Sequence, residues 1–407
     1  MNRVPRLLLV INEDRFFFSH RRDVAMAALR AGMDVTLVSR DTGRRGEVEA
    51  LGIRFVDLPI NPVGRNVSEE LRSFRFLVRL YRRMKPDIVH HVGLKNILWG
   101  SLAARLVRVR GVVNAVSGLG TMFGDNTGPA LRRMVMTALR IGMRHPAAAV
   151  IFQNHEDEQL FISHGLTKRS QTVFIKGSGV NLDEFAYTPP PAGEKTIVIF
   201  TARMLREKGV LDLADAAALM RHEYGEKVEF WLCGGISCNP GALSSDELHR
   251  ICDGIYIKWL GHCQDVASLL RQASVMVLPS YYREGMPKSL IEASAIGRPI
   301  VTCDSVGCRD AVEEGVNGFK VEPRNPLQLA DRISRLVDNP ELRERMGRES
   351  RRIAERDYDI RDVVDKHMAT YHMILSSFGG SLSVSPDTVA CRVSLPEETV
   401  RKKQPLA

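Results

Sequence analysis

The chain alternates short apolar runs with longer amphipathic stretches, and it does so in two successive series. RLLLVI (6–11), DVTLVS (34–39), IRFVDL (53–58), IVHHV (88–92), GVVNAV (111–116) and AAVIF (148–152) are bounded by polar or turn residues and predict buried strands. Between them lie helical stretches such as SHRRDVAMAALRAG (19–32), with Gly32 placed to stop the helix. The alternation restarts with KTIVIFTA (195–202), VEFWLCGG (228–235), IYIKWLG (255–261), VMVLPS (275–280), PIVTCD (299–304) and GFKVEP (318–323). Strands alternating with helices predict parallel sheets covered on both faces. The expected fold is therefore α/β, with two doubly wound, Rossmann-like domains facing across a cleft and ligands held at the carboxyl ends of the strands.

A length of 407 residues already argues for division, since a single core stops growing well below it. The proline-rich YTPPPAGEK (187–195) is the natural linker. The expected domains are residues 1–186, residues 187–355, a helix within 356–377 long enough to cross back over the cleft, and a disordered tail of mixed Ser, Gly, Pro and charge over 378–407. No run reaches the roughly 18 apolar residues of a membrane span, and the few apolar residues after the basic N-terminus fit a first strand better than a signal sequence. This reading makes the protein soluble or peripheral.

The charge is unevenly divided. Residues 1–190 hold 28 Lys and Arg against 17 Asp and Glu, whereas the rest hold 29 against 31. Much of the excess lies in LRSFRFLVRLYRRMK (71–85), RLVRVR (105–110) and LRRMVMTALRIGMR (131–144), where arginines flank apolar residues at helical spacing. Such faces suit an anionic membrane surface, and equally they read as solvated helix faces over a core. Nucleic acid is not expected as a partner, because the basic segments lack interleaved aromatics and any recognisable binding module. The seven cysteines form no CxxC pair, and the two C-x4-C spacings lack histidine partners, so reduced thiols are expected and no metal site.

The candidate chemistry lies in the second series. Arg203 and Lys208 follow the first strand of the second domain with Gly209 beside them, at a strand end and helix start where a phosphate would be held. Taken alone they also read as surface residues of a polar loop. In REGMPKSLIEASAIGRPIV (283–301), Pro287 fits the first turn of a helix that Gly297 ends, so Glu284 stays in the loop and Glu292 lies more than one turn along the helix. Two carboxylates suggest glycoside hydrolysis, but beside two cations they better suit the hydroxyls of a sugar nucleotide, carboxylates accepting from hydroxyls and cations holding the diphosphate.

These segments, with ARMLREKGV (202–210), GSGVNLDEF (177–185) and the spacing of Glu284 and Glu292, resemble the retaining GT-B glycosyltransferases of family 4. VSGLGTMF (116–123), GGISCNP (234–240) and DSVGCRDAV (304–312) are similar to bacterial enzymes that extend undecaprenyl-diphosphate-linked sugars, such as α-1,3-N-acetylgalactosaminyltransferases. The resemblance implies that Arg203 and Lys208 neutralise the diphosphate of a UDP-sugar donor. Glu284 would contact the donor sugar with the backbone of Gly285, Met286, Pro287 and Lys288, Glu292 would hold the ribose, and Gly235 would border the same site. No protein nucleophile and no metal are required, and the D-x-D of Asp357 and Asp359 reads as a helix start. On the first domain, His20, His91, Lys95, Gly118 and Gly120 are candidates for the acceptor side of the cleft. The implied partner is a polyprenyl-diphosphate-linked saccharide at the cytoplasmic face of the membrane. A soluble acceptor, and a non-catalytic scaffold of an envelope assembly complex, remain as alternatives.

Overall fold

The computed structural model describes residues 3–61, 64, 66–119, 128–191, 193–237 and 239–382. Gly120, Cys238, Cys391 and the tail beyond Leu382 lie outside them. The first domain contains β1 (Arg6–Glu13), β2 (Asp34–Arg40), β3 (Arg54–Asp57), β4 (Ile88–Val92), β5 (Gly111–Val116), β6 (Ala148–Phe152) and β7 (Thr172–Phe174). They form one parallel sheet in the order β3-β2-β1-β4-β5-β6-β7. The second contains β8 (Thr196–Thr201), β9 (Val228–Cys233), β10 (Ile257–Gly261), β11 (Val275–Leu278), β12 (Ile300–Cys303) and β13 (Gly318–Val321), parallel in the order β10-β9-β8-β11-β12-β13. β5, β6, β11 and β12 are buried along their whole lengths, which is why they read as unbroken apolar runs.

In each sheet the chain order reverses once, between β1 and β4 and between β8 and β11. Diverging crossovers leave a crevice at such a point, outside the carboxyl ends of the two strands. The second crevice is bordered by the loop carrying Arg203 and Lys208 and by the loop carrying Glu284.

Two local departures from the sequence expectation have packing causes. The stretch expected as one helix over 19–32 opens on the last two residues of an earlier helix, Asp14–His20, breaks at Arg21 and continues as the helix Arg22–Arg30. The earlier helix forms because Phe17 is driven fully into the first core. The edge strand β7 was invisible to pattern reading, being three residues long and only half-buried.

The helix Ile360–Ser376 belongs spatially to the first domain, where Val363, Tyr371, Ile374 and Leu375 share a core with Leu7, Leu9 and Ile88. Where the chain passes from one domain to the other and back, the two passages are tied together. Val180 N donates to Tyr358 O at 2.8 Å, and Ile360 N donates to Val180 O at 3.0 Å. Asp359 caps the returning helix by accepting from Arg361 N, and Asp357 is paired with Lys176 at 2.9 Å, so the D-x-D carboxylates serve the crossing.

Candidate active site

The second crevice is built by loops that lace together. Gly209, at φ +78°, ends a short 3-10 turn, Arg206–Lys208, and starts the helix Val210–Tyr224. A Cβ there would stand 2.2 Å from Pro279 O, so only glycine lets the two loops press this closely. The carbonyl of Glu207 accepts from Tyr281 N at 3.0 Å and Tyr282 N at 3.1 Å, pinning the second loop on the first. Ser305 Oγ donates to Ser280 O at 2.6 Å from behind.

That lacing sets Glu284. One of its oxygens meets Lys208 Nζ at 2.5 Å and the other accepts from Ser280 Oγ at 2.9 Å. Lys208 and Glu284 are both largely withdrawn from water, with side chains 10% and 14% exposed, so the pair interacts in a weakened dielectric. Arg203 is exposed at the crevice mouth, makes no ion pair among the described residues, and faces Tyr282 closely enough to oppose the burial that raises the Tyr282 phenol. The site thus holds one cation committed to Glu284 and a second left facing solvent.

Glu292 lies on the helix Lys288–Ile296, which starts after Pro287 and ends at Gly297, left-handed at φ +88°. Its carboxyl is buried, with Lys288 Nζ at 3.9 Å. Burial pushes its pKa up to about 7, against the nearby Lys288 and with Glu184 adding to the rise. Ionising it therefore weakens folding between the ordinary carboxylate range and about pH 7, with no further change above. A ligand whose hydroxyls donate to this group favours the ionised form, so binding should release a proton. If this carboxylate takes the hydroxyls of a sugar nucleotide, as the resemblance implies, the affinity for a UDP-sugar, whose diphosphate does not titrate in this range, is expected to rise between pH 6 and pH 7 and then level off. Calorimetry should show Glu292→Gln removing that slope; a slope that survives the substitution would place the titrating group elsewhere.

The remaining candidates divide. Gly235 lies just past β9, where its carbonyl accepts from Met204 N at 3.1 Å, on the loop beside Arg203. Gly118, at φ +103°, reaches across from the first domain: a Cβ there would lie 2.6 Å from Gly285 N. His20 is brought to the same junction, since Lys288 Nζ donates to the neighbouring Ser19 O. Burial, with Lys288 and Arg21 opposite, pushes the His20 ring down to about 3, so it is neutral there.

His91 and Lys95 are not in the cleft. His91 is buried beneath the helix Leu94–Val107, with Nε2 3.0 Å from Tyr81 Oη and Nδ1 2.8 Å from Asn114 Oδ1. Strand parity could not have exposed it, because β4 is covered on both faces and its neighbour His90 is equally buried against Tyr371. Lys95 Nζ is consumed by Glu70 Oε1 at 2.6 Å and the carbonyls of Asn61 and Gly64. Sequence reasoning also missed Gln153, Asn154 and Asp157, which follow β6 and touch the Glu284 loop from the opposite domain. Their position at a strand's carboxyl end was the available signal. Among the described residues no three His, Cys, Asp or Glu side chains converge to hold a metal ion.

Two parallel-sheet domains facing across such a cleft define the GT-B class of glycosyltransferases. The chain belongs to them: residues 195–339 match the glycosyl transferases group 1 family and residues 6–154 the glycosyl transferase 4-like family. It is 27% identical over 340 residues, 80% of this chain and 88% of the other, to an N,N'-diacetylbacillosaminyl-diphospho-undecaprenol α-1,3-N-acetylgalactosaminyltransferase of Campylobacter jejuni. It is 25% identical over 326 residues, 76% of this chain and 81% of the other, to a UDP-Gal:α-D-GlcNAc-diphosphoundecaprenol α-1,3-galactosyltransferase of Escherichia coli. Among solved structures, the Anabaena protein HepE in complex with UDP superimposes with a TM-score of 0.70 at 20% identity, covering 92% of this chain and all of that one.

Proposed function

We propose that the enzyme moves a hexose or N-acetylhexosamine from a UDP-sugar, with retention, onto a saccharide carried by a polyprenyl diphosphate during assembly of a bacterial surface glycan. The observation that carries this reading is the Lys208–Glu284 pair, lodged at the topological switch point beside exposed Arg203. In this reading a diphosphate draws the two cations and frees Glu284 for the sugar hydroxyls, while Glu292 takes the ribose. Gly285, Met286, Pro287 and Lys288 line the loop between them. Negative charge gathers on the departing UDP as the glycosidic bond breaks, and cations already in place stabilise it more in the transition state than before. Retention follows if the acceptor attacks from the face the leaving group departs, with a phosphate oxygen taking its proton. The relatives whose printed names specify undecaprenyl-diphosphate acceptors support the acceptor class.

The same proposal places the enzyme at an anionic membrane surface. The helix Pro129–Met143 exposes Met134 and Ile141 seven residues apart on one face, with Arg133 and Arg144 flanking them and exposed Leu106 on a packed neighbour. Among the described residues no helix is long and apolar enough to cross a membrane, so contact would be interfacial. One assay tests the whole reading: transfer from UDP- and GDP-sugars to a polyprenyl-diphosphate saccharide embedded in vesicles. Turnover is expected with a UDP-sugar, undiminished by a chelator, faster on anionic than on zwitterionic vesicles, and slowed by salt. UDP at 100 times its Kd should add about 2.7 kcal/mol to stability. A protein that UDP does not stabilise, or that transfers only to soluble sugars, contradicts the proposal.

A further inference from the structure

The Glu284 loop is held from both domains. Arg283 Nε and Nη2 donate to Asp157 Oδ1 at 3.0 and 2.9 Å, and the Asp157 side chain is only 1% exposed. Asn154 Nδ2 lies 3.4 Å from Glu284 O and 3.3 Å from Gly285 O. Gln153 Oε1 accepts from Met286 N at 3.1 Å. Four consecutive residues of a loop in the second domain, Arg283 to Met286, thus take backbone or side-chain partners from a single turn of the first.

The turn is rigid. Asn154 Oδ1 accepts from Asp157 N at 2.8 Å and so caps the helix His155–Ser163, while Asn154 Nδ2 also reaches Asp157 Oδ2 at 3.1 Å. The fit is close as well: a Cβ on Gly285 would stand 2.1 Å from Gln153 Oε1, and one on Gly307 would stand 2.3 Å from Gly285 O. A loop boxed in this way has no freedom to present Glu284 in another pose. If the domains part, Asp157 and Arg283 lose each other and the peptide 284–286 loses its lateral support.

We infer that Asp157, Asn154 and Gln153 are positioning residues, through which the first domain shapes the donor loop only when the two domains are closed. The inference rests on the donor-site reading above. Its content is that loop geometry and closure are one event: UDP binds to the second domain whether or not the clamp is made, and transfer proceeds only when it is. A nearby exposed pair, Arg309 with Glu156, spans the same junction without touching the loop and serves as the control.

The test compares Asp157→Asn, Arg283→Gln, the double variant and Glu156→Gln, reading kcat, donor KM, UDP Kd and thermal unfolding. Each single clamp variant is expected to lose about tenfold or more in kcat, because removing one partner of a largely buried charge pair across an interface weakens the docked state by at least that factor, while UDP Kd changes by less than about threefold. The double variant should lose little more than either single one, because both remove the same interaction. Glu156→Gln should stay near the wild-type rate. Were Asp157→Asn to fold poorly, Arg283→Gln, cut from the more exposed side, carries the same comparison. Clamp variants that keep kcat, that lose kcat only in step with stability or UDP affinity, or whose losses multiply, overturn the inference. Wild-type protein that binds no UDP removes the donor site and this inference together. UDP binding with Glu284→Ala inactive and Asp157→Asn fully active removes the inference alone.

Discussion

Glu284→Ala is expected to lower the transfer rate by about 10² to 10³, with UDP affinity little changed. The carboxylate is assigned to the donor sugar, so its loss should be absent from the binding of a nucleotide that lacks one. Two effects combine. The hydroxyls that Glu284 would orient lose their acceptor, and Lys208, only 10% exposed, loses its counter-charge. Glu284→Gln separates these, since it keeps an acceptor oxygen for Ser280 while deleting the charge. Single-turnover measurement with a radiolabelled UDP-sugar decides the matter. A rate within a few-fold of wild type for Glu284→Ala would remove this residue from the reacting centre.

Lys208→Ala should be as damaging, and in a different way. Lys208 is assigned to the departing diphosphate, so its loss is expected to cost about 10² or more in kcat and to weaken UDP binding besides. Uncompensated Glu284, still largely buried, would then repel the phosphates. Neutralising both residues should therefore restore part of the UDP affinity lost in Lys208→Ala alone without restoring turnover. Arg203, exposed and without an ion pair among the described residues, carries no such penalty, and Arg203→Ala should be milder than Lys208→Ala because solvent screens a charge at the crevice mouth. Equal losses for the two cations would argue that ligand binding buries Arg203 as deeply as Lys208. Titrating UDP against each variant, alongside steady-state rates, distinguishes these outcomes.

Much of this site was legible in the sequence because it depends on short-range order. A strand, a tight turn and a helix start within about a dozen residues place Arg203 and Lys208 by local geometry. Pro287 and Gly297 bound the helix that separates Glu284 from Glu292 in the same way. The doubly wound architecture was legible for a related reason, since strands buried on both faces leave unbroken apolar runs. Contacts between distant segments were not legible. Nothing in FQNHEDEQ shows that Gln153 will meet Met286 N, 133 positions away, because that meeting depends on how two domains dock. His91 failed for the complementary reason. Alternation along a strand tells which face a side chain joins, but in a sheet covered on both sides neither face is open, and only the residues beyond its carboxyl end reach a ligand.

The mutual grip of Val180 with Tyr358 and Ile360 has a mechanical meaning. Two bodies joined by a pair of spans riveted at one spot are left with a swing about that spot, and sliding or separation would have to break the rivet. Displacement in a swing grows with distance from the axle, so in any such swing neighbours close to Val180 would stay together while those on the far rim would be the first to part.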